Sequence, residues 1–215
     1  MSMTYRALII ALALTAATPG LAQQIPFDGS WREQGFLRLF TNDFVQKGGS
    51  LDVISDGTVS LLWRAVPEGA RDAGKAAWQW AVSEGVGPTD LARKGGDDRN
   101  LALYFVFTDP QTAATVDVNS ARKLLQADGT RALVYVWGGD ATAGTVLPSP
   151  YHPGLVTVIK RGPGTGQFSE SVDLRADYRR AFGAEAPVLV GLGVSADSDD
   201  TDGRIAARVS GLRLD

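Results

Sequence analysis

Apolar and polar positions alternate in short runs along most of this chain, and the runs are separated by Gly, Pro, Asp and Ser. Segments 36–40, 51–54, 58–66, 78–82, 101–107, 132–137, 155–160, 168–174, 188–194 and 205–214 carry this pattern and are rich in β-branched and aromatic residues. Such runs predict strands. In 101–107 and 132–137 both alternating sets are apolar, so each predicts a central strand covered on both faces, by a second sheet on one side and by loops or a helix on the other. Asp56-Gly57, between two such runs, predicts a tight hairpin, because glycine accepts the positive φ that the turn demands. Gly162-Pro163-Gly164-Thr165-Gly166 lacks the Gly-Lys-Ser/Thr ending of a phosphate loop and also predicts a hairpin turn.

Helical periodicity is confined to two places. Segment 119–126 predicts two turns capped by Asn119, and Leu174, Tyr178 and Phe182 predict a short amphipathic helix ended by Gly183. Many short strands with one or two short helices predict an all-β fold. The expected form is an antiparallel β-sandwich of jelly-roll type, like carbohydrate-binding modules and lectins, with a closed barrel as the alternative.

The first 22 residues stand apart. Arg6 precedes an apolar stretch over 7–17, and Thr18-Pro19-Gly20-Leu21-Ala22 supplies a helix break and small residues at a cleavage site. This predicts a signal peptide over 1–22 and one sandwich domain over 23–215. The apolar stretch is shorter than the roughly 20 residues of a membrane span, so membrane insertion is not expected. Export places the protein in the periplasm, with secretion as the alternative. With no cysteine, disulfides, thiol nucleophiles and Cys-ligated metals are excluded. The net charge of −3 becomes one unit more acidic when Arg6 is lost, which argues against nucleic acid as a partner.

Candidate chemistry concentrates at strand ends. Asp197, Asp199 and Asp202 alternate in a loop closed by Gly203, and alternating carboxylates can supply oxygens to Ca²⁺. The spacing departs from a calcium loop, so a hydrogen-bonding polar turn is the plainer reading. Asp97-Asp98 leads into the central strand 101–107, with Asp98 expected to point inward. Trp78 and Trp80 share one strand face and are expected in the core, whereas Trp137, before Gly138-Gly139, is expected to reach a cleft. His152, the one histidine, is expected in a loop without a catalytic role.

Five landmarks then come together in order: Trp78-Gln79-Trp80, Gly96-Asp97-Asp98, Tyr135-Val136-Trp137-Gly138, Asp177-Tyr178-Arg179-Arg180 and Asp197-Ser198-Asp199-Asp200-Thr201. They resemble DUF3047, a bacterial exported family, over nearly all of the chain after the leader. Asp200 stands where that family usually has Asn, and Arg99-Asn100 where a Phe is common. The resemblance implies no activity.

The leading functional reading is non-covalent binding of a glycan or other polyol-rich ligand. Trp137 and Tyr151 would stack, while Asp98, Arg179, Asp197 and Asp199 would take hydroxyls. A glycan hydrolase or lyase using Asp98 and a loop carboxylate is the second reading. An envelope interaction module without a small-molecule site is the third.

Overall fold

The computed structural model describes residues 22–35 and 41–215. The leader expected over 1–22 falls almost wholly outside them, and the strand expected over 36–40 does so entirely. In chain order the elements are β1 (Gln23–Gln24), β2 (Arg32–Gly35), β3 (Asp43–Gln46), β4 (Ser50–Asp56), β5 (Val59–Ala65), β6 (Lys75–Glu84) and β7 (Arg99–Thr108). Then follow α1 (Pro110–Thr115), α2 (Ala121–Gln126), β8 (Arg131–Trp137), β9 (Val146–Pro148), β10 (Leu155–Arg161), β11 (Gly166–Asp173), α3 (Leu174–Phe182), β12 (Val188–Asp197) and β13 (Arg204–Leu214).

The strands form two stacked sheets. One runs β11-β6-β13-β4-β3, with β1 also on β13; the other, seven-stranded, runs β2-β5-β12-β7-β8-β10-β9. The pairings are antiparallel except β8 with β10. This is the expected β-sandwich of jelly-roll kind. The tight turn at Asp56-Gly57 is present, with Gly57 at φ 60°, but β4 and β5 belong to different sheets. The turn after β10 likewise carries the chain across to β11 in the other sheet. Both predicted hairpins are therefore arches. Turn residues set the backbone bend, whereas burial decides which strand lies alongside.

Alternation sorts the side chains. Trp78 and Trp80 from β6 face Leu101, Leu103, Phe105 and Phe107 from β7 across the inter-sheet core. Each large apolar side chain buried there contributes about 1.5–3 kcal/mol. The outer face of the six-stranded sheet is polar, with Gln79, Ser169 and Arg208 exposed. The outer face of the seven-stranded sheet is apolar: Leu61, Trp63, Ala102, Val106, Ala132, Val134 and Val136 form a second cluster, covered by α2 and loops. The two-sided apolarity of 101–107 and 132–137 has this cause.

The helices follow local chemistry. Asp173 caps α3 by accepting from Ala176 N, and Gly183 at φ 67° ends it. In α2 the cap is Ser120 rather than Asn119, with Ser120 Oγ accepting from Lys123 N at 3.3 Å. The cap expected at Asn119 is displaced because Asp117 Oδ1 holds that residue's backbone N–H at 3.1 Å in a turn of its own. Asp109 caps α1, with Pro at its first turn.

Candidate functional site

The outer face of the seven-stranded sheet is not covered evenly. A cavity of about 530 Å³ remains over β5, β12, β7, β8 and β10, walled by α2 and by segments 91–97 and 149–152. A second recess of about 810 Å³ beside α2 shares Leu61, Ala121, Leu125 and His152 with it, so the two join into one trough. The larger recess lacks the dense polar cluster found at the end of the smaller one, and the chemistry lies in the smaller.

Glycines make room for its floor. A Cβ on Gly191 would sit 2.0 Å from the Trp63 ring, and one on Gly193 would sit 2.8 Å from Leu61. Bare backbone on β12 lets Trp63 lie against the sheet, where its Nε1–H donates to Val118 O at 3.0 Å and ties down the connection ahead of α2. Leu61, Trp63, Val106 and Val134 leave the floor apolar.

The polar end is built by β7 and β12. Outward alternation on β12 carries Ser195 and Asp197 to the cavity face. On β7 the register slips by one residue between the Ser195–Ala102 and Asp197–Arg99 pairs. This bulge turns Arg99 outward, onto the same face as Tyr104. Arg99 Nη1 then donates to Asp197 Oδ2 at 2.9 Å and to Asp97 Oδ2 at 3.3 Å, while its Nη2 donates to Tyr104 Oη at 2.9 Å. Tyr151 Oη donates to Asp97 Oδ1 at 2.6 Å, and the ring, 57% exposed, forms the rim. His152 also lines the trough, but its Nδ1 accepts from Gly154 N at 3.0 Å.

Asp98 points inward, as expected, yet it faces the acidic loop and not the trough. It is fully buried. Its Oδ1 accepts from Asp200 N at 3.2 Å, and its Oδ2 accepts from Thr201 N at 2.8 Å and Thr201 Oγ1 at 2.6 Å. The loop is thus folded back onto β7. Carboxylate oxygens of Asp98, Asp197 and Asp199 come within 4.8 Å of one another. These, and not the expected trio with Asp202, are the described residues placed to share a cation. Asp202 has φ 51° and turns its carboxylate toward Gly57.

Two further expectations are corrected. Trp137 is 1% exposed and packs edge-on against Trp80 and Phe168, with ring centroids 5.6 and 5.1 Å away. Its position in β8 has inward parity, so no ligand can stack on it. Arg179 lies on the exposed side of α3 and pairs with Glu185 at 3.0 Å; it lines neither recess, because Leu174 and Tyr178 commit the other side of that helix to the core. Of the six expected ligand-binding residues, Tyr151, Asp197 and Asp199 line the cavity, and Asp98 supports it from behind. Sequence reasoning missed Arg99, Tyr104 and Asp97 as lining groups; acid-plus-Tyr content near a strand end was the available signal for Asp97, and the bulge that exposes Arg99 leaves none.

The electrostatics follow from the crowding. Burial, with Asp199 and Asp98 alongside, pushes the Asp197 carboxyl up to about 8 against the opposing pull of Arg99. Asp197 therefore retains a proton at neutral pH. Burial and the bond to Asp97 push the Tyr151 hydroxyl up to about 12, and burial also raises Asp200. The folded chain holds a proton on Asp197 that the unfolded chain releases near the ordinary value of 3.8. Folding then binds the extra proton between those limits, so this group's contribution to stability falls as pH rises from about 4 to about 8. Urea midpoints between pH 4 and 9, without divalent cations, are expected to show that fall, and Asp197→Asn is expected to flatten it. Asp52, held down to about 2 chiefly by its hydrogen bond from Arg208, acts in the opposite sense and only as pH drops below about 4.

With the site's geometry in view, comparison with known proteins adds the lineage. The family model described as "Protein of unknown function (DUF3047)" matches residues 29–213. The chain belongs to the DUF3047 family. Within this DUF3047 chain, two of the five landmarks, Gly96-Asp97-Asp98 and Asp197–Thr201, meet at the acidic end of the cavity, while the two Trp-bearing ones fill the core. No curated protein matches. Among solved structures, the Cel12A cellulase of Rhodothermus marinus, in a meso-active thermostable form, is similar at 12% identity and a TM-score of 0.52. That likeness covers 90% of this chain and 99% of the other. The xyloglucanase domain of NopAA from Sinorhizobium fredii, in complex with cellobiose, is similar at 8% identity and a TM-score of 0.49, over 93% and 99% of the two chains. The family 11 xylanase of Neocallimastix patriciarum is similar at 11% identity and a TM-score of 0.42, over 91% and 99%. At such identities the likeness is one of fold. Among the described residues no helix is long and apolar enough to cross a membrane.

Proposed function

We propose that this DUF3047 protein is exported and binds a short glycan segment non-covalently in the trough over its seven-stranded sheet. The observation that carries the reading is convergence. Asp97, Arg99, Tyr104, Tyr151, Asp197 and Asp199 line one cavity above an apolar floor. Sugar rings present apolar C–H faces and a belt of hydroxyls, and a concave site with a few convergent polar groups suits both. The volume lies in the ordinary range for small-ligand sites. The fold shared with a protein described as a cellulase supports the ligand class.

Binding is favoured over hydrolysis by the placement of the acids. Hydrolysis by paired carboxylates needs them about 5–5.5 or 6.5–9.5 Å apart, one on each side of the bond. Both oxygens of Asp98 are taken by the loop, and its carboxylate meets those of Asp197 and Asp199 at closer range, all at one end of the trough. The presence of a lined cavity also favours a ligand site over a purely protein-binding module.

Calorimetric titration of the full chain with soluble β-glucans, xylans and bacterial polysaccharide fragments tests the reading. At least one is expected to bind. Thr157→Trp, which puts an indole into the cavity from the half-buried outer face of β10, is expected to weaken that binding roughly tenfold or more without lowering the melting temperature. No heat from any glycan, or binding undiminished by Thr157→Trp, would overturn it.

A further inference from the structure

One buried oxygen distinguishes the acidic end of the cavity from an ordinary cluster of surface acids. Asp197 is 7% exposed. Its Oδ2 is held by Arg99, but its Oδ1 is buried and receives no hydrogen bond. That oxygen is carried by the outward-facing end of β12. Asp98 approaches from the start of β7, and the loop that Asp98 anchors brings Asp199 alongside, so the three carboxylates come within 4.8 Å of one another. Arg99 is shared between Asp197 and Asp97, and on Asp197 it bonds Oδ2 and not Oδ1.

We propose that Asp98, Asp197 and Asp199 hold a calcium ion in the space that Asp197 Oδ1 faces. The three ligands are all carboxylate oxygens, a set that suits hard cations and not zinc or copper. Calcium fits better than magnesium, because several protein carboxylates crowd one place where magnesium would keep most of its water. Binding displaces the proton held on Asp197, since carboxylate ligands must be ionised, and the ionised trio then outweighs the single charge of Arg99. Asp98 Oδ1 accepts one hydrogen bond and keeps a lone pair for the metal, whereas Oδ2 accepts two. Bound there, the ion ties the loop between β12 and β13 to the start of β7 and stiffens the polar end of the cavity. The site shares Asp197 and Asp199 with the cavity wall, but the ion needs no glycan and can be tested without one.

The test uses the full chain, freed of metal by a chelator, with no glycan present. Titration with CaCl₂ by calorimetry is expected to show one ion per chain, and the melting temperature is expected to rise with calcium concentration. Asp197→Asn is expected to weaken binding roughly tenfold or more, because it removes a charged ligand. Asp202→Asn, in the same loop but turned away, is expected to bind as the parent does. If the Asp197→Asn protein does not fold, Asp199→Asn takes its place. Absence of heat and of any melting shift at millimolar calcium, or an undiminished response in the ligand variants, would overturn the proposal. Failure here leaves the glycan titration untouched, and the converse also holds.

Discussion

Arg99→Met is expected to destabilise the protein by about 3–5 kcal/mol, the usual cost of removing one partner from a buried charge network. For a chain of this size that corresponds to a drop of about 2–4 °C in melting temperature per kcal/mol. Only 13% of the Arg99 side chain is exposed, and it bonds Asp97, Asp197 and Tyr104 at once. Without it, carboxyls that are themselves about nine-tenths buried face each other with no cation between them. Arg99→Lys keeps the charge and loses the planar fork, so an intermediate loss is expected. Adding Asp97→Asn to Arg99→Met is expected to recover part of the stability, since it removes a buried carboxylate that has lost its cation. Thermal unfolding of the parent and these variants checks this, and a methionine variant as stable as the parent would show that the acids do not depend on Arg99.

The second large effect separates core from site. Trp137→Ala is expected to lose about 3–5 kcal/mol of stability, the range for emptying a buried Trp position. The residue sits in a chain of edge-on rings from Trp78 through Trp80 and Trp137 to Phe168. The folded fraction is expected to bind ligand as before. Tyr151→Ala is expected to do the reverse, with a stability loss of only about 1 kcal/mol, from the bond to Asp97, and with binding weakened, because the ring is exposed at the cavity rim. Denaturant unfolding paired with calorimetry reads both. A Trp137→Ala protein that kept its stability and lost affinity would contradict the assignment.

What could be read in the sequence was whatever burial writes into alternation. The two-sided apolarity of 101–107 and 132–137 announced the central strands β7 and β8, and the spacing of Leu174, Tyr178 and Phe182 with Gly183 announced α3. The crowding of acids at 97–98 and 197–200, read from the sequence more plainly as polar turns, lies at the acidic end of the cavity. Three side-chain placements were not legible. A one-residue bulge reverses the face of Arg99 without altering its neighbours' chemistry. Trp137 follows inward parity to the end of β8, although the glycines after it suggested an opening. Asp202 alternates with Asp197 and Asp199 along the chain, but its left-handed backbone turns it out of their company. Neither did the turns at Gly57 and Gly164 reveal that they cross between sheets, since a tight turn has the same residues in a hairpin and in an arch.

A crystal structure with the best-binding oligosaccharide from the titration shows whether the proposed trough on the outer face of the seven-stranded sheet holds the sugar. Sugar density is expected over Leu61 and Val106, with hydroxyls bonded to Arg99, Tyr104 or the Asp97–Asp197 end and Tyr151 against a ring. Density on the polar face of the six-stranded sheet, with the trough left to solvent, would contradict it.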